Sequence, residues 1–131
     1  MSEIRNSSLE WLRYAQSDLV YSRVSCPPGG LLETLCFHAQ QAVEKALKAV
    51  LIHLEIPFPK THNINTLLEL LSQTMDVPDE VKNATILTDY AVISRYPSEY
   101  EAVSQEEYQE SVNLAAEVLK WAKSIIVIIE L

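Results

Sequence analysis

A chain of 131 residues is long enough to bury a core without disulfides or a structural metal, and its length is that of one domain. Its formal charge of −8, from 18 acidic against 10 basic residues, repels polyanions, so bulk nucleic-acid binding is not expected and a polyanion would need a local basic patch. Two cysteines without CxxC spacing or paired histidines argue against a disulfide framework or a zinc site, and no metal or cofactor is expected.

In chain order, Ser7 or Ser8 is the predicted cap of a first helix in which Trp11, Ala15, Leu19 and Ser22 recur at helical spacing. Pro27-Pro28-Gly29-Gly30 breaks it. A second helix is predicted from about Leu31 to Leu54, ending before Pro57 and Pro59. Asn63 or Asn65 caps a short third helix that turns Leu67, Leu68 and Leu71 inward. Pro78 at a first helical position, followed by Asp79 and Glu80, predicts a fourth helix through about Ile93, closed by Arg95-Tyr96-Pro97. Ser104 and Glu107 form a capping box for a long last helix marked by Val112, Ala115, Ala116, Leu119, Ala122 and Ile126. The reading is a single all-α domain over residues 1–131: an up-and-down bundle of four main helices and one short helix, without repeats or linkers. No stretch approaches the roughly 20 apolar residues that a membrane helix needs, and the amino terminus lacks the order of a signal peptide. A cytoplasmic location follows as the expectation.

In the second helix, Ala39, Ala42, Ala46, Ala49 and Val50 fall on one side, where small residues let a neighbouring backbone come close. His38, Gln41, Lys45 and Lys48 fall within roughly 80° of one another on the other side. One reading of that stripe is a solvated face, with Glu44 supporting Lys48 as an i,i+4 pair. The other is a working surface, because polar groups also stand in costly places: His62 at a helix start, Arg95 at a helix end, and Asp18 on the inward stripe of the first helix. A buried Asp18 needs a partner, with Arg95, Lys45 or a histidine as candidates.

The pieces FHAQQAVEKALKAVL at Phe37 to Leu51, Thr61-His62, Arg95-Tyr96-Pro97 and WLRYAQSDL at Trp11 to Leu19 together resemble the HEPN domains, over nearly the whole chain. The resemblance implies a helical bundle like the carboxyl-terminal domain of kanamycin nucleotidyltransferase, commonly homodimeric. Small members of this kind stand beside a minimal nucleotidyltransferase as a two-component pair, many of them toxin and antitoxin. A large group are metal-independent ribonucleases in which Arg is followed, after four to six residues, by His. Here the corresponding positions after Arg95 are Tyr100, Glu101 and Ala102, and no histidine follows His62. Tyrosine, with an ordinary pKa of about 10, is a poor base for such chemistry.

The expectation is therefore a non-catalytic nucleotide-binding helper that docks to a nucleotidyltransferase. Arg95, Lys45 and Lys48 would meet phosphate, and His38, Gln41, His62 and Tyr96 would hydrogen-bond or stack, with Asp18 as their support. The alternatives are a ribonuclease toxin that keeps Arg95 and recruits another proton carrier such as His38 or His62, and a purely structural dimerisation partner. A homodimer is expected because the apolar run Ile125 to Ile129 and the tyrosines 90, 96 and 100 leave surface for a twofold interface to cover.

Overall fold

The computed structural model describes residues 2–90 and 102–126. Among them are five α-helices, a 3-10 helix and no strand: α1 (Ser2–Ser22), α2 (Leu32–His53), α3 (Ile64–Ser72), α4 (Asp79–Lys82), the 3-10 helix Asn83–Thr88, and α5 (Gln105–Ile126). No helix of the described residues is long and apolar enough to cross a membrane.

α1 begins before the expected cap. Ser8 lies inside it and is buried, because with Leu12, Ala15, Leu19 and Ser22 it completes the i, i+4, i+7, i+11, i+14 stripe that packs inward. The helix stops ahead of the double proline, where Gly29 at φ +82° turns the chain and the amide of Gly30 donates to the carbonyl of Pro27 at 2.8 Å.

α2 is the central element, packing most extensively on α1 and then on α5, with further contacts to α3 and the 3-10 helix. Ala39, Ala42, Ala46 and Ala49 have no exposed surface and share one core with Ala15 and Leu19 of α1 and with Ala115, Val118, Leu119 and Ala122 of α5. The helix ends in a Schellman pattern, with the amide of Ile56 donating to Leu51 O at 2.9 Å and that of Glu55 to Ile52 O at 3.0 Å. The left-handed position of that motif is held by Glu55 at φ 58°, where a Cβ is strained. Glu55 is exposed, so Glu55→Gly relieves this strain without removing a contact. The variant is expected to gain about 0.5–1 kcal/mol in urea unfolding.

Asn63 caps α3 as expected, its Oδ1 accepting from the amides of Asn65 at 2.9 Å and Thr66 at 3.4 Å, and Leu67, Leu68 and Leu71 are buried. The fourth helix differs from expectation. Pro78 is its N-cap, with ψ 149°, rather than its first helical residue, and the α conformation lasts one turn before the chain tightens to a 3-10 helix. The reason is visible in the spacing of the buried residues Val81, Ala84 and Leu87, which recur every three positions and stay on one face only at three residues per turn. The end of that predicted helix beyond Tyr90 lies outside the described residues.

The capping box of α5 is formed reciprocally: Ser104 N–H donates to Glu107 Oε1 at 2.9 Å and Glu107 N–H donates to Ser104 Oγ at 3.1 Å. Tyr108 donates to the carbonyl of Ser22, and Lys123 donates to Gln16 Oε1 at 2.6 Å. These contacts join the start of α5 to the end of α1 and its end to the middle of α1, so the two helices run antiparallel.

Candidate functional site

The polar stripe of α2 faces two carboxylates rather than open water. Asp18 of α1 accepts from Lys45 Nζ at 2.6 Å on one oxygen and from His38 Nδ1 at 3.0 Å on the other. One turn along the helix from Gln40, Glu44 accepts from Lys48 Nζ at 2.8 Å, His62 Nδ1 at 3.0 Å, Gln40 Nε2 at 3.1 Å and Gln41 Nε2 at 3.2 Å. Gln41 also donates to Gln40 Oε1 at 2.8 Å, and Gln40 to the carbonyl of His62 at 3.3 Å. No buried side-chain polar atom among the described residues lacks a partner.

A carboxylate only accepts, so both imidazoles donate through Nδ1, and in the neutral ring the lone pair is then on Nε2. Among the described residues neither Nε2 has a hydrogen-bond partner. Each lysine is neutralised by its own carboxylate, so with neutral rings the cluster carries no net positive charge. What it offers is oriented hydrogen bonding.

Burial divides the stripe in two. The Glu44 half is inside the protein: Gln40 has no exposed surface, and the side chains of Glu44 and Lys48 are 3% and 11% exposed. Lys48 also lies 5.6 Å from the centroid of the Trp11 ring, a cation–π contact. The Asp18 half is reachable, with the His38 and Lys45 side chains 32% and 27% exposed. Tyr21, well exposed on α1, lies against His38 with centroids 5.7 Å apart. His62 is attached to the buried half but has a largely exposed ring.

Of the residues read from the sequence, Asp18, His38 and Lys45 come together in one cluster, and Gln41, Lys48 and His62 in a second around Glu44. Arg95, Tyr96 and Tyr100 lie outside the described residues, as do Val127 to Ile129. Sequence reasoning passed over Gln40 and Tyr21 and gave Glu44 only a surface pair with Lys48. The spacing Gln40, Glu44, Lys48 is a second polar ridge at i, i+4, i+8, and that signal was open to reading. Nothing local marks Tyr21.

Both cysteines are free: Cys26 is exposed, whereas Cys36 is buried, and its burial pushes the thiol pKa up.

The fold and this site define a class: a small all-helical bundle whose central helix carries a polar face anchored on internal carboxylates. The family model of the HEPN domain matches residues 8–125, and the chain belongs to the HEPN family. It is similar to the crystal structure of ST0689, an archaeal HEPN homologue, at 28% identity and a TM-score of 0.71, over 91% of this chain and 97% of that one. It is also similar to the crystal structure of TT1696 from Thermus thermophilus, at 29% identity and a TM-score of 0.78, over 91% and 98% of the two chains. No curated protein matches the chain.

Proposed function

We propose that this HEPN domain is a non-catalytic nucleotide-binding helper that acts as a homodimer beside a nucleotidyltransferase, in a two-component system of the toxin–antitoxin kind. The observation that carries the ligand part is the accessible half of the α2 face, where Asp18 holds Nδ1 of a partly exposed His38, whose Nε2 has no partner among the described residues, beside a partly exposed Lys45. Such an imidazole accepts from a ribose hydroxyl or an exocyclic amine, and Lys45 can exchange Asp18 for a phosphate oxygen. His62 and Gln41, both held by Glu44, would supply further hydrogen-bonding groups. Arg95 and Tyr96 keep the roles expected from the sequence, as phosphate and stacking groups. The buried Lys48 belongs to the fold on this reading.

Calorimetry with ATP and GTP tests it. Lys45→Ala is expected to weaken binding by about 10- to 100-fold, the loss of one charged hydrogen bond, while the fold stays intact. The absence of heat at millimolar nucleotide rejects the ligand assignment. A monomeric mass in light scattering at micromolar concentration rejects the homodimer, and failure to co-purify with a co-expressed nucleotidyltransferase rejects the pairing.

A second reading, a ribonuclease, is favoured by one feature. A carboxylate-held imidazole with a free Nε2 is also the arrangement of a general base. RNA cleavage by the purified chain that disappears in His38→Ala would replace the first reading with this one.

A further inference from the structure

Ten basic residues are set against 18 acidic ones, yet the charged residues that line one groove are all cations. It has a volume of about 300 Å³ and runs between the antiparallel α1 and α5, with Leu19, Ala116 and Leu119 as its apolar lining and Gln16, Arg23, Lys120 and Lys123 as its polar groups. None of the described residues lining it is a carboxylate. Lys120 also borders the neighbouring groove, which Glu80 and Glu117 line together with Pro78 and Val81. Arg23, Lys120 and Lys123 form no ion pair with any described residue, in contrast to Lys45 and Lys48 of the α2 face. Lys123 is nevertheless positioned, through its bond to Gln16 across the groove.

Helix dipoles account for part of this. Arg23 follows the carboxyl end of α1, and Lys123 is in the last turn of α5, where cations are favoured. They do not account for three positive groups, from the end of α1 and from α5, lining one groove that no described carboxylate lines in a strongly acidic chain, an arrangement that is repulsive when empty.

We infer that this groove is a phosphate-binding site, separate from the α2 face. The ligand chemistry is that of a phosphate ester or anhydride held by two ammonium groups and a guanidinium, with the Gln16 amide as an additional hydrogen-bonding group. Two sources present that chemistry, the backbone of single-stranded RNA and a free pyrophosphate group. The net charge of −8 opposes either, so binding is weak and depends on salt. With three phosphate contacts on a single strand, the slope of log K against log salt is about −2, and affinity falls about 20-fold between 50 and 200 mM salt.

The test is fluorescence anisotropy of a labelled oligouridylate at both salt concentrations, with pyrophosphate and a polyglutamate peptide of matched charge as competitors. The wild type is expected to bind. The double variant K120Q/K123Q is expected to bind at least tenfold more weakly at 50 mM salt, with a slope near −0.7, and Lys82→Gln, at an exposed cation outside the groove, is expected to bind as the wild type does. The substituted side chains are exposed, and thermal melts by circular dichroism confirm that the variants fold. Competition by pyrophosphate assigns the site to a phosphate group of either source; RNA binding without competition assigns it to the backbone. No binding of RNA or pyrophosphate by the wild type, unchanged binding by K120Q/K123Q, an equal loss of binding in Lys82→Gln, or a preference for polyglutamate would each overturn the inference. The nucleotide reading of the α2 face is tested separately, by Lys45→Ala in calorimetry with ATP and GTP.

Discussion

Glu44→Ala is expected to destabilise the domain by about 3–5 kcal/mol, a fall in melting temperature on the order of 10 °C. The size comes from burial. The carboxylate is 3% exposed and receives donors from Lys48, His62, Gln40 and Gln41. Without it, the ammonium of Lys48, 11% exposed, remains inside the protein opposite only the Trp11 ring, and the amide of Gln40 loses an acceptor. Lys48→Met is expected to cost much less, because Glu44 keeps three other donors. Urea unfolding of the two variants checks the asymmetry. A loss below about 1 kcal/mol for Glu44→Ala would make the pair an ordinary surface ion pair, contrary to its burial.

The second large effect is expected from Ala46→Leu, a loss of about 3 kcal/mol from overpacking. Ala46 has no exposed surface and sits in the core shared by α1, α2 and α5, where the small residues of all three helices allow close approach. Three additional carbon atoms enter a fully buried seam, so one helix must move or a side chain must leave its rotamer. Leu at the exposed position 20, replacing Val, is the control that should change stability little. Thermal unfolding of both variants distinguishes a seam that needs alanine from a helix that merely favours it.

The two carboxylates of the α2 face show how far sequence reasoning reaches. Asp18 was readable, because it stands on the Trp11, Ala15, Ser22 stripe, and a charge on an inward stripe requires a partner. Lys45 and His38 were among its candidates, and both contact it. Glu44 was not readable in the same way. Its helical angle lies away from the alanine side, and periodicity alone makes it solvated. The approach of the His62 segment and of Trp11 encloses that side of the helix.

The amino-acid order by itself determined the helices, the caps at Asn63 and Ser104, the alanine seam and the family, because these depend on contacts within a few residues or on a pattern of one-dimensional spacing. Only the tertiary structure decided that Ser8 is an inward residue rather than a cap, that α4 tightens to three residues per turn, and that one half of a uniform polar stripe is interior while the other remains open. The physical reason is the same in each case: exposure belongs to what lies opposite a side chain, and the elements opposite Glu44 and Lys48 arrive from α1 and from the segment before α3, beyond the reach of any local pattern.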